Sequence, residues 1–127
     1  MSKCVLDSSA LLAFIQSDPG AEIVSEVIGD ALISSVNFAE VVTKLVSRGS
    51  SLDSARTTLG VAEPDVVDFT RLLAEQAGGL VARTRSMGLS LGDRACLALA
   101  QREGVPAFTA DRAWASLEIG VEIRLIR

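Results

Sequence analysis

Short, mostly apolar runs alternate along this chain with longer stretches whose apolar residues recur at helical spacing. The strand-like runs are Lys3–Asp7, Ala31–Ser34, Asp65–Phe69, "PAFTA" and "VEIRLI". Between them, Ser9–Gln16 has helical spacing, and "DPGAEIVSEVIGD" predicts a helix with Pro19 near its start and Gly29 near its end. "VNFAEVVTKLVSRG" places Phe38, Val41, Val42, Leu45 and Val46 on one stripe, with Ser35 as its predicted cap and Gly49 as its stop. Ser51–Gly60 predicts a short helix. "TRLLAEQAGGLVARTRSMG" predicts a helix in two pieces around Gly78 and Gly79, and "LSLGDRACLALAQREG" one capped by Ser90. Strands alternating with helices predict an α/β domain around a mainly parallel sheet. In such a sheet, ligands gather outside the carboxyl ends, where the strand order reverses.

Composition narrows this picture. A chain of 127 residues, 49% apolar and 22% charged, is globular and predicts one domain spanning 1–127. Its longest apolar runs, Ala10–Ile15 and Ala95–Ala100, are far short of the roughly 20 residues that span a bilayer. The start lacks the regions of a signal peptide, so a cytoplasmic protein is expected. Cys4 and Cys96 each lie in an apolar run and read as reduced core thiols. The chain has no histidine and no tyrosine, which excludes a Ser-His-Asp triad, a Cys-His pair and any imidazole base. An enzyme of this composition must work with carboxylates.

Four acids are placed for that work. Asp7 ends the first strand and Asp111 follows the fourth, so topology alone puts both at the carboxyl edge. Glu40 lies just over a turn into the helix after the second strand, and Asp93 opens the helix bearing "GDRACLALA". Each also has a plain structural reading. Asp7 can cap the next helix, as can Ser8, and Glu40 can face solvent. Asp93 can form a capping box with Ser90, and Asp111 can be a turn residue. Crowded like charges destabilise a fold unless something offsets them, and a hard divalent cation does so. Two such ions about 4 Å apart activate a water and stabilise the leaving oxygen of a phosphodiester, with no need of histidine. Of 16 acidic and 12 basic residues, four acids in one site would leave the rest of the chain balanced, so the net charge of −4 does not argue against a nucleic-acid substrate. Ser9, Asn37 and Thr109 are small polar residues spaced to support Asp7, Glu40 and Asp111.

The segments "VLDSSALLAF", "SSVNFAEVVTKL", "LSLGDRACLALA", "FTADRAW" and "GVEIRLIR" together resemble PIN domains, more narrowly the VapC-type toxins of bacterial and archaeal toxin–antitoxin pairs. The resemblance covers nearly the whole chain. It implies a PIN-like α/β/α sandwich and a Mg2+-dependent endoribonuclease, with Mn2+ able to substitute. It makes Asp7 and Asp93 the principal metal ligands, with Glu40 and Asp111 completing the pocket directly or through water. It further implies a small cognate antitoxin, a homodimer using Val42, Leu45 and Val46 or the 51–60 helix, and contact with DNA only through the antitoxin. Some members carry a further acid just after the position of Asp111, whereas Arg112, Ala113 and Trp114 stand here. Arg94 and Arg112 each follow a site acid and are candidates either for a scissile phosphate or for solvated surface.

Two rival functions remain at this level. A non-catalytic module would use its acidic pocket to grip a basic partner peptide. A phosphotransfer domain would use Asp7 as nucleophile, but Ser9 stands where such enzymes carry a second Asp.

Overall fold

Five short strands form a single sheet in the computed structural model, which describes residues 3–62 and 64–127. They are β1 (Cys4–Leu6), β2 (Ala31–Ser34), β3 (Asp65–Val67), β4 (Ala107–Thr109) and β5 (Ile123–Leu125). The order across the sheet is β3-β2-β1-β4-β5, and every adjoining pair is parallel. The helices are α1 (Ser8–Gln16), α2 (Ala21–Val27), α3 (Ser35–Ser47), α4 (Leu52–Ala62), α5 (Arg71–Gly79), α6 (Val81–Thr84) and α7 (Leu91–Glu103). Short 3-10 turns cover Ile28–Asp30, Arg85–Met87 and Arg112–Ser116.

Side chains alternate across a strand, and this alternation builds two cores. Val5, Leu32 and Ala107 pack with Leu73 and Ala77 of α5 and with Cys96, Leu97 and Ala100 of α7. On the other face, Cys4, Leu6, Ala31 and Phe108 meet Ala10, Ala13 and Val24, while Ile33 meets Leu11, Leu12, Val41 and Leu59. Leu6, Ile33, Leu97 and Leu99 are fully buried, each contributing roughly 2 kcal/mol of apolar burial. The result is the expected α/β/α sandwich. Cys4 and Cys96 are free, buried thiols, and burial pushes the Cys4 thiol up to about 11. Among the described residues no helix is long and apolar enough to cross a membrane.

Several boundaries differ from the sequence pattern for identifiable reasons. The third strand stops at Val67 rather than Phe69, because its partner β2 ends opposite it at Ser34 and turns into α3. Ser34, not Ser35, caps α3: its Oγ accepts from the Val36 N–H at 3.2 Å. Ser35 instead accepts from the Phe69 N–H at 3.0 Å, tying the start of α3 to the chain leaving β3. The second helix begins at Ala21, beyond Pro19, because Gly20 takes a left-handed turn (φ 99°) directly under Ile126. A Cβ at Gly20 would stand 2.6 Å from the Ile126 carbonyl oxygen. The α3 stripe is only partly covered: Val41 is buried, Phe38, Val42 and Leu45 are half-buried, and Val46 is 44% exposed.

Candidate functional site

The strand order reverses between β1 and β4, the switch point of this sheet, and Asp7 sits at its carboxyl edge. The Asp7 N–H still pairs with the Phe108 carbonyl at 3.1 Å, while its side chain turns to start α1. Asp7 Oδ1 accepts from the Ala10 N–H at 2.8 Å and from Ser9 Oγ at 2.6 Å. Thr109 Oγ1, at the end of β4, donates to Asp7 Oδ2 at 2.5 Å. Both hydroxyls are themselves oriented by backbone. Ala110 N–H donates to Ser9 Oγ at 2.9 Å, and Asp111 N–H donates to Thr109 Oγ1 at 3.0 Å. Each hydroxyl thus has a donor behind it and points its proton at the carboxylate.

This seat is buried, with Asp7 only 5% exposed. Burial pushes its carboxyl up to about 6, against the opposing pull of Ser9, Thr109 and the Ala10 N–H, and the negative charge of Asp93 adds to the rise. Of the two candidate caps for α1, Asp7 and Ser8, it is Asp7 that is the N-cap, and Ser8 is the first residue of the helix.

Asp93 lies in the first turn of α7, where the helix dipole favours a negative charge. It forms the full capping box with Ser90: Asp93 N–H donates to Ser90 Oγ at 3.1 Å, and Ser90 N–H donates to Asp93 Oδ2 at 2.9 Å. Glu40 does not simply face solvent. Its carboxylate lies against the Cα of Gly92, and its Oε1 accepts from Asn37 Nδ2 at 3.0 Å. The same Asn37 amide donates to the Gly92 carbonyl at 3.0 Å, so α3 is pinned to the start of α7. Asp111 is exposed and caps the 3-10 turn Arg112–Ser116 through a 3.0 Å bond from the Ala113 N–H to its Oδ1.

Three of the four acids lie near enough to one buried thiol for their charges to act on it. After burial itself, the charges of Asp7, Asp93 and Glu40 all push the buried Cys96 thiol well above its ordinary range. Asp111 is tied to Asp7 by its backbone, through the Thr109 hydroxyl that bridges the Asp111 N–H to Asp7 Oδ2, while its carboxylate is exposed. Each acid has one oxygen bonded in place by a cap or an amide. Among the described residues, Asp93 Oδ1, Glu40 Oε2 and Asp111 Oδ2 accept no hydrogen bond, and Asp7 Oδ2 accepts one. Capping and ligation are thus compatible roles for one carboxylate. An all-oxygen donor set of this kind suits Mg2+, which keeps several waters and takes one or two carboxylates. Among the described residues, no three His, Cys, Asp or Glu side chains lie close enough to enclose an ion by themselves.

Arg94 Nη1 donates to the Ala77 carbonyl at 3.0 Å near the end of α5, so this half-buried side chain braces α5 against α7. Arg112 is exposed. Trp114, three residues beyond Asp111, is fully buried. Sequence reasoning passed over Gly92. A glycine in the first turn of an otherwise well-formed helix was the available signal.

A parallel α/β/α sandwich with carboxylates gathered at its switch point is the class of molecule described so far. The chain belongs to the PIN domain family, which matches residues 4–119. No curated protein sequence matches it. Among solved structures, a toxin–antitoxin complex from Klebsiella pneumoniae is similar, with a TM-score of 0.74, 18% identity, and coverage of 98% of both chains. VapBC2 from Rickettsia felis, bound to a DNA fragment from its promoter, gives a TM-score of 0.75 at 16% identity, covering 96% of this chain and 97% of that one. Mycobacterium tuberculosis VapC20, described as a sarcin-ricin loop cleaving toxin, gives 0.73 at 20% identity, covering 94% and 99%. At these identities the likeness is one of fold.

Proposed function

We propose that this PIN domain is a Mg2+-dependent endoribonuclease and the toxin of a toxin–antitoxin pair. The observation that carries the reading is the Asp7 seat. A carboxylate is buried at the switch point at the cost of desolvation, with Glu40 and Asp93 close enough to act on the same Cys96 thiol. A buried acid whose pKa is raised at a switch point is the kind of group that marks a functional site.

In this reading Asp7 and Asp93 are the principal cation ligands, and Glu40 and Asp111 complete the pocket directly or through water. A bound divalent cation would supply an activated water and shield the negative charge of a phosphodiester. The chain's own contribution is orientation. Ser9 and Thr109 fix the Asp7 carboxylate, with both of its Oδ1 lone pairs engaged and one Oδ2 lone pair left toward the site. Asn37 holds Glu40, and Ser90 holds Asp93.

The similar structures that carry antitoxins support a small cognate antitoxin as partner, with DNA reached only through it. A homodimer through Val42, Leu45 and Val46 or through the 51–60 helix, and a cytoplasmic location, complete the reading. The test is RNA cleavage with Mg2+ or Mn2+ against EDTA, in wild type and Asp93→Asn. Asn keeps an oxygen for the Ser90 N–H, so the fold should persist while cleavage is lost. Full activity in that variant or in EDTA would refute the site, and tight binding of a basic peptide without turnover would favour the non-catalytic rival.

A further inference from the structure

Gly92 lies in a regular helical turn and not among the glycines with positive φ, so backbone freedom is not the reason for glycine at this position. Space is the reason. A Cβ built there would stand 2.5 Å from Glu40 Oε2, 2.6 Å from Oε1 and 2.7 Å from Cδ, closer than real contacts allow. The three nearest atoms all belong to the carboxylate head of Glu40.

We infer that Gly92 and Asn37 form one positioning device for Glu40. The absent side chain at 92 is the seat in which the carboxylate rests beside Asp93, and the Asn37 amide locks it there. This inference rests on the reading of the acid pocket given above. Asn37 suits the task because a primary amide offers two N–H donors at one point. One goes to Glu40 Oε1 and the other to the Gly92 carbonyl, each at 3.0 Å, so carboxylate and seat are held by the same group. Asn37 is 1% exposed, and its buried Oδ1 has no partner among the described residues. That arrangement gives up hydrogen bonding at the oxygen for the placement of the two donors. Glycine in a helix likewise gives up stability relative to alanine. Two locally unfavourable choices thus meet at one carboxylate.

The clash falls on the far end of a flexible, partly exposed side chain. Gly92→Ala therefore swings Glu40 out of the pocket and leaves the backbone in place. The experiment compares wild type, Gly92→Ala, Glu40→Ala and the double variant. The readouts are Tm in EDTA, Mn2+ affinity by calorimetry, and kcat/KM for RNA cleavage. Gly92→Ala is expected to melt no lower than wild type in EDTA, yet to bind Mn2+ and cleave RNA about tenfold more weakly. In the Glu40→Ala background, adding Gly92→Ala should change neither quantity by more than about twofold, since the group it displaces is already gone. Asn37→Ala should weaken Mn2+ binding in the same direction.

The inference is overturned if Glu40→Ala is impaired while Gly92→Ala binds and cleaves like wild type, or if the two losses multiply. It is also overturned if Gly92→Ala loses Tm that Glu40→Ala does not restore, which would put the clash in the backbone. A Glu40→Ala variant with wild-type affinity and cleavage would instead remove Glu40 from the site, and the underlying reading would fail first.

Discussion

The two sides of the acid pocket are built on opposite principles. Asp7, at the ends of β1 and β4, is buried and receives three hydrogen bonds, two from hydroxyls that are themselves aimed by backbone N–H groups. Glu40 and Asp93, where α3 meets α7, are half-exposed, and each carboxylate accepts one bond. The sheet side is a fixed seat that carries a desolvation cost. The helix side is half-exposed, its acids held by the Asn37 amide and by the Ser90 capping box. Both sides use helix starts: in a parallel α/β fold the helix following a strand begins at its carboxyl edge, so N-caps and acids compete for the same places.

The comparison breaks most visibly if the fixed seat loses its charge. Asp7→Asn should lower metal-dependent RNA cleavage by at least about 100-fold, beyond the usual effect of an outer-shell partner. Cleavage within tenfold of wild type would mean the seat is structural only.

The same substitution should have the opposite effect on stability. In EDTA, the folded protein takes up the Asp7 proton near pH 6 and the unfolded chain only near 3.8. Between these values the folded state binds more protons, so stability falls as pH rises through the window, and the penalty is fully present above it. A change of this size corresponds to roughly 3 kcal/mol at most. Urea unfolding in EDTA from pH 4 to 7 should show the fall for wild type and not for Asp7→Asn. A flat wild-type profile would deny the cost assigned to the seat.

A smaller effect is expected at Thr109, which serves both Asp7 and the Asp111 N–H. Thr109→Val should weaken Mn2+ binding about tenfold, measured by calorimetry. Least affected is Arg94, whose bond to the Ala77 carbonyl lies away from the carboxylates. Arg94→Ala should leave cleavage within about twofold of wild type and lower stability by about 1 kcal/mol, read by urea unfolding. A large loss of cleavage with unchanged stability would return Arg94 to a phosphate-binding role.

Much of this was legible in the chain because strand ends and helix starts carry strong local signals. The alternation of "CVL", "ALIS" and "AFT" with helical stretches gave the parallel sandwich, and the offsets from Asp7 to Ser9 and from Glu40 to Asn37 gave real contacts. What was not legible depends on partners distant in sequence. The third strand ends at Val67 because β2 does, and Ser35 is diverted from capping by Phe69. Arg94 turns to α5 for want of nothing in its own helix, since its acceptor lies 17 residues earlier. The seat under Glu40 is the absence of a side chain 52 residues away on another helix, which no periodicity records. The cap of α1 was left open between Asp7 and Ser8, and it is Asp7 Oδ1 that takes the Ala10 N–H while Oδ2 takes the Thr109 hydroxyl.

The central claim is that a divalent cation compensates the buried charge of Asp7. Its most direct test is the stability of wild type and Asp7→Asn at pH 7, each measured in saturating Mg2+ and in EDTA. The account predicts a crossing: the variant is the more stable protein in EDTA, while Mg2+ stabilises wild type, by about 2.7 kcal/mol at a hundred times the dissociation constant, and leaves the variant nearly unchanged. Equal gains from Mg2+ in both proteins, or none in wild type, would contradict it.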